Sequence, residues 1–213
     1  MKRETVNVVE LKEISCEKQN RQLFSRLNLT VSKGELVLLR GENGAGKTSL
    51  LRILVGLSQP QYGRVVFCKE ALDPSDEQIK SLIYVGHRPG NNPTLSAITN
   101  LKFWSSQRKL EVSETAIIET LEHLQLEGLE DAPTRYLSAG QQRRVALARL
   151  WLQRDAKLWV LDEPFTALDV NTVDMLCKHI ASFVMNGGAV IMTSHQAAKI
   201  ECPQREFTLE YSW

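Results

Sequence analysis

The segment Gly41-Glu42-Asn43-Gly44-Ala45-Gly46-Lys47-Thr48 fits G-x-x-x-x-G-K-[ST] without a mismatch, and it restricts the fold more than any other part of the chain. Its flanks are those the pattern needs. Leu36-Val37-Leu38-Leu39 precedes it, a short apolar run suited to a strand buried on both faces. An apolar helix follows, roughly Lys47 to Val55, closing near Gly56. Strand, glycine-rich loop and helix in that order turn backbone N–H groups inward and aim a helix N-terminus at a bound phosphate. Lys47 then reaches the β- and γ-phosphates of a nucleoside triphosphate, and the Thr48 hydroxyl is placed for Mg²⁺. With Ser49, the whole octapeptide forms the expected nucleotide-binding loop. A glycine-rich turn with a chance lysine would give the spacing but not the flanks.

Periodicity sketches the rest. Val6, Val8 and Leu11 begin an extended segment, and Leu27, Leu29 and Val31 alternate with polar residues before a turn at Lys33-Gly34. Gly63–Phe67 and Ile83–Val85 read as strands, as do Lys157–Leu161, Ala189–Thr193 and Glu206–Leu209. Between Arg88 and Gln153 the pattern becomes helical, with stretches at Ala97–Trp104, Glu114–Leu124 and Ser138–Gln153. This is an α/β layout with a helical insertion at 88–153. No repeat or linker divides it, so residues 1–213 are expected to form a single domain.

Composition removes several classes. The 26 basic and 25 acidic residues leave a net charge of +1, which gives no reason to expect a nucleic-acid partner. No apolar run approaches the roughly 18 residues needed to span a bilayer. Met1-Lys2-Arg3-Glu4 leads into a strand-like segment and not an apolar signal region, so the protein is expected in the cytosol. Cys16, Cys68, Cys177 and Cys202 lack C-x-x-C spacing and fit reduced thiols.

Two further motifs follow the loop. Leu158-Trp159-Val160-Leu161-Asp162-Glu163 is an apolar strand ending in two acids. Beside a phosphate loop, Asp162 would hold Mg²⁺ and Glu163 would polarise the attacking water. Leu137-Ser138-Ala139-Gly140-Gln141 opens an amphipathic helix for which Ser138 is a natural N-cap. Alone, this is only a well-capped helix. Between the phosphate loop and the acid pair, it resembles the LSGGQ signature of ATP-binding cassette (ABC) ATPases, with Ala139 for the first glycine.

Other elements fit that resemblance. Ala167-Leu168-Asp169 resembles the D-loop, and Thr193-Ser194-His195 resembles the segment carrying the switch histidine. The resemblance covers essentially the whole chain. It implies a P-loop NTPase fold of the ABC type, with an antiparallel β-subdomain and a helical subdomain. ATP and Mg²⁺ are the implied ligands, and Glu163 and His195 the implied catalytic residues. It further implies a second copy facing this one head to tail, with Ser138, Gly140 and Gln141 serving the ATP on the opposite loop.

Within the family, the runs from Leu137 to Leu152 and from Leu161 to Asp169 resemble the ATPase subunits of cytochrome c maturation haem-export systems. Cys16-Glu17, Leu23-Phe24-Ser25, Gly86-His87 and Pro89-Gly90 do so too. The implied partners are integral membrane subunits of that system, with the chain peripheral on the cytoplasmic face of a bacterial-type inner membrane. Its output would be haem export or release of a haem-loaded chaperone.

The chain departs from the family at two places. His87 stands where most cassettes carry a glutamine near Mg²⁺, leaving metal ligation and a structural role both open for its imidazole. No aromatic residue lies in Ser15–Asn20 to stack on adenine, and Phe24 falls at a core position. Cys202-Pro203 resembles a haem-regulatory dipeptide, but no histidine is close in sequence and no C-x-x-C-H is present, so a chance occurrence is expected. Three alternatives remain. One is a cassette serving another exporter, of lipids or drugs for example. Another is a non-transport cassette acting on DNA or the ribosome, which would usually carry coiled-coil insertions or tandem cassettes. The third is a nucleotide-binding module without turnover, against which Lys47, Glu163 and His195 speak.

Overall fold

The computed structural model describes residues 6–72, 77–196 and 198–210; Met1–Glu4 lies outside them. In chain order the first half comprises β1 (Asn7–Lys18), β2 (Arg21–Ser32), β3 (Leu36–Arg40), α1 (Lys47–Leu54), β4 (Tyr62–Phe67), β5 (Glu70–Ala71) and β6 (Leu82–Val85). The second half comprises α2 (Ala97–Gln107), α3 (Glu114–His123), α4 (Ala139–Leu147), α5 (Arg149–Leu152), β7 (Leu158–Asp162), α6 (Val170–Met185), β8 (Ala189–Thr193) and β9 (Gln204–Thr208).

Two sheets divide the strands. One is antiparallel, in the order β2-β1-β4-β5, and the other is parallel, in the order β6-β7-β8-β3-β9. Strand β7 lies between β6 and β8, and all five of its residues are buried. Alternation sends its side chains to opposite cores. Leu158 and Val160 join α1 and the antiparallel sheet, while Trp159 and Leu161 join α4, α5 and α6. Truncating such a residue, Leu161→Ala for instance, would cost about 2–5 kcal/mol. The apolar run before the loop became β3 for the same reason, with Val37 and Leu39 in the first core and Leu36 in the second.

The helical segment builds a third cluster from Ile98 and Leu101 of α2, Ile117 and Leu121 of α3, and Val145 beside Ala148. Ser96, Ser113 and Ser138 cap α2, α3 and α4 by accepting from the N–H three residues on. The stretch Ser138–Gln153, expected as one helix, is two. Ala148 keeps helical dihedrals between α4 and α5, but the Trp151 N–H donates to Ala148 O three residues back.

Residues 170–185, for which no element is expected above, form α6. Asp169 caps it through Thr172 N, and Thr172, Leu176, Ile180 and Val184 bury one stripe at a spacing of four. A run of rings joins α6 to its neighbours. His179 stacks on Trp151 at 3.9 Å and 11°, and Phe183 on Trp159 at 3.8 Å and 3°. His179 also meets Trp159 at 5.1 Å, whereas Trp151 meets His123 of α3 only at 5.9 Å and 57°.

Candidate functional site

The loop from Gly41 to Gly46 runs from β3 into α1, and its conformation is one only glycine adopts readily. Gly46 has φ 97°, and a Cβ there would lie 3.0 Å from Phe24 and 3.1 Å from Leu23. Phe24 is therefore a floor beneath the loop, buried as expected of a core residue. The Lys47 ammonium donates to Gly41 O at 2.6 Å and Glu42 O at 3.0 Å.

A cleft of about 510 Å³ opens over this loop. Asn43, Gly44, Gly46, Lys47, Thr48 and Ser49 line one side, with His87, Asp162, Glu163 and His195 opposite. Lys18, Gln19 and Leu23 form a further wall. The parallel sheet explains the convergence: β3, β6, β7 and β8 run the same way, so the segments after them emerge at one edge.

Hydrogen bonds string these residues together across the cleft floor. Thr48 Oγ1 donates to Asp162 Oδ2 at 2.8 Å. Thr193 Oγ1 donates to Asp162 Oδ1 at 2.8 Å and accepts from Glu163 N at 2.9 Å. Glu163 Oε2 accepts from His195 N at 3.0 Å. The other carboxylate oxygen, Oε1, is buried without a hydrogen-bond partner; His195 Nε2 lies 3.6 Å away, beyond bonding distance. Such an orphaned acceptor suits a water or a hydroxyl bound in the cleft. Glu163 also has φ 52°, a strained setting for a non-glycine residue. Arg40 steadies the opposite segment, donating from Nη1 to Ser194 O at 3.0 Å.

The donor set bears on the metal. Thr48 and Asp162 offer oxygens 2.8 Å apart beside the phosphate cradle. Among the described residues no group of three or more His, Cys, Asp or Glu side chains could hold a metal by itself. Hard oxygen donors, few in number, suit Mg²⁺ shared with phosphates and water and not a soft metal cage.

Ser138, Gly140, Gln141 and Asp169 lie off this cleft. Ser138 and Gln141 form a capping box: Ser138 Oγ accepts from Gln141 N at 3.2 Å, and Gln141 Oε1 accepts from Ser138 N at 2.8 Å. Ala139 is exposed, so a methyl is accommodated where the signature has its first glycine. At Gly140 a Cβ would stand 2.5 Å from Ala167 O, so the helix start presses on the D-loop-like turn. Asp169 accepts from Thr172 N, which holds its carboxyl below the usual range.

One residue of this region was quoted only as part of a motif. Arg143 of α4 is buried and donates to five backbone carbonyls: Gly86, His87, Asp162, Glu163 and Pro164. Burial depresses its pKa, and Asp162 and Glu163 oppose that shift. An arginine on a capped helix is usually a solvated side chain. Only the absence of a nearby acidic partner on its own helix hinted otherwise. The Cys202-Pro203 pair belongs to the β3 edge: Pro203 O accepts from Leu36 N, and burial pushes the Cys202 thiol up, away from a ligating thiolate.

A family model for ABC transporters matches residues 24–166. The cytochrome c biogenesis ATP-binding export protein CcmA of Escherichia coli K12 is 47% identical over 197 residues, covering 92% of each chain. The Shigella flexneri protein of that name is 46% identical over 196 residues, again covering 92% of each. A putative ABC transporter ATP-binding protein from Pyrococcus furiosus superposes with TM-score 0.79 at 25% identity, covering 96% of this chain and 99% of its own. The ATP-binding cassette MJ0796, solved as a dimer in a post-hydrolysis state with ADP and Pi, gives TM-score 0.81 at 24% identity, covering 95% and 94%.

Proposed function

The chain belongs to the ABC transporter family as an ATP-hydrolysing subunit, and we propose that it works as a head-to-tail pair beneath the membrane subunits of a cytochrome c maturation haem-export system. The observation that carries the catalytic reading is the bonded series Thr48–Asp162–Thr193–Glu163–His195 along one cleft. Residues 1–213 act as one cassette in this reading.

The loop N–H groups and Lys47 bind the β- and γ-phosphates, Lys47 exchanging its loop carbonyls for phosphate oxygens. Thr48 and Asp162 would hold Mg²⁺, directly or through its water shell, and the ion would supply positive charge to offset that of the phosphates. Glu163 orients and polarises water for in-line attack, its free Oε1 being the acceptor for the water proton. His195, with its side chain 62% exposed, contacts the γ-phosphate. Each role is positional or electrostatic, as phosphoryl transfer requires.

Ser138, Gly140 and Gln141 do not line the cleft beside their own phosphate loop. They are the half-site offered to a second copy, with Asp169 beside them. Among the described residues no helix is long and apolar enough to cross a membrane, so attachment to the inner membrane comes through the partner subunits. The 47% identity to CcmA supports haem export over export of lipids or drugs. Copurification from native membranes tests this directly: recovery of cytochrome c maturation subunits supports the assignment, and recovery of a different exporter's subunits would overturn it.

A further inference from the structure

Arg143 occupies a position that phosphate binding and water activation leave unused. It sits five residues after Ser138 on the same helix, and its guanidinium reaches the segments after β6 and β7 at once. Nη1 donates to Gly86 O at 2.6 Å and His87 O at 3.4 Å; Nη2 donates to Asp162 O at 2.9 Å and Glu163 O at 2.7 Å; Nε donates to Pro164 O at 3.3 Å. A planar fork with five N–H groups can meet such a set, and an ammonium cannot. Two of the bonded carbonyls belong to the residues assigned to metal and water, and one of these, Glu163, is in left-handed backbone. The fork therefore helps to fix where the Glu163 carboxylate points.

A second tie runs the same way. Asn91 Nδ2 donates to Gln142 O at 2.8 Å, joining the segment after His87 to α4 one residue before Arg143. The helix start bears on Ala167 O through Gly140. Helix α4 is thus linked by hydrogen bonds or close packing to the segment after His87, to the acid pair and to the turn before Asp169.

We infer that Arg143 is a positioning residue which makes the aim of Glu163 depend on how α4 is seated, so that engagement of Ser138 by the opposite ATP is felt at this subunit's own water-activating carboxylate. This rests on the head-to-tail reading proposed above. The short rigid helix supplies the link: a displacement of its N-terminus at Ser138 reaches Arg143 little more than one turn later.

The test uses the full-length chain and ATP, with Arg143→Lys, Ser138→Ala and the double variant. Arg143→Lys is expected to lower kcat at least thirtyfold while KM and equilibrium ATP binding stay within about threefold. A merely structural lesion would move thermal stability and binding together. Because Ser138 is held to act through Arg143, the double variant should be no worse than the poorer single variant, within about threefold. Independent residues would multiply their losses. Should Arg143→Lys fail to fold, Asn91→Ala removes the parallel tie, together with the bond that Arg149 Nη2 donates to Asn91 Oδ1 at 3.3 Å, and leaves the Arg143 fork itself intact. It is expected to lower kcat less, at unchanged ATP binding, and to be non-additive with Ser138→Ala.

Multiplying effects, or wild-type kcat in folded Arg143→Lys, would overturn the inference while leaving the head-to-tail reading intact. That reading has its own check, ATP-dependent dimerisation of Glu163→Gln on a sizing column. A monomer there would overturn both.

Discussion

The backbone N–H of His195 donates to Glu163 Oε2 at 3.0 Å, which ties the segment after β8 to the carboxylate after β7. The bond uses one carboxylate oxygen and leaves Oε1 to the cleft. The histidine loop thereby orients the acid by its main chain, whatever its imidazole is doing.

Glu163→Gln keeps that acceptor geometry but loses the negative charge. We expect ATP binding to survive, hydrolysis to fall by at least a hundredfold, or about 2.7 kcal/mol of barrier, and ATP to hold two copies together. Lys47→Ala should instead weaken nucleotide binding itself. Steady-state turnover beside equilibrium binding distinguishes the two; near-normal turnover in Glu163→Gln would move the base elsewhere.

Lys18, Gln19 and Leu23 form the cleft wall beside the loop, with Phe24 buried under Gly46. No aromatic face is offered among them, and the roughly 1–3 kcal/mol that such stacking gives a nucleobase is missing. ATP and GTP should therefore compete within about a hundredfold, or roughly 2.7 kcal/mol. Competition binding measures this, and a larger preference for ATP would reveal an adenine contact made elsewhere.

His87 lines the cleft, yet its carbonyl is held by Arg143 and Asn91 of the following segment is bound to α4. His87→Ala should leave basal hydrolysis within about tenfold of wild type, roughly 1.4 kcal/mol, because water can take the place of its imidazole at the cleft wall. Turnover that depends on the assembled membrane complex should fall further. Equal, severe loss in both assays would put the imidazole in the catalytic shell.

His179 supplies a prediction about stability. Burial against Trp151 and Trp159 depresses its pKa, although its bond to Leu150 O works the other way. The unfolded chain then takes up a proton more readily than the native one. The stabilisation is complete well above the ordinary value near 6.5 and is lost as pH falls through it toward the lowered native value. Thermal unfolding at pH 7.5 and 5.5 should show this acid sensitivity, and His179→Phe should lessen it. An unchanged pH dependence in the variant would assign the effect to other groups.

How far the site was legible follows from chain distance. Gly41–Ser49 and Leu158–Glu163 carry their context with them, since each functional residue ends a strand or opens a helix whose pattern is local. Phe24 was expected in the core and is buried there, although it is out of phase with Leu27, Leu29 and Val31; left-handed backbone at Arg26 shifts the strand between them. Arg143 was not readable in the same way: its partners lie 19 to 57 residues off, and only the packing of α4 against the sheet edge brings them to one fork. The split at Ala148 was likewise hidden, because every residue there favours helix and only hydrogen-bond spacing changes. By contrast, α6 was there to be read. Asp169 is a good cap, and Leu176, Ile180 and Val184 repeat at four.

The rings along α6 make Trp151 a wall shared by two cores. Flat contacts at 3.8 and 3.9 Å join β7 and α5 to α6. Trp151 packs against the core around Trp159 and Ile180 on one side and against the helical cluster of Ile117 and Leu121 on the other. Truncating that one ring would therefore loosen the grip of α6 and the packing of the outer helices together.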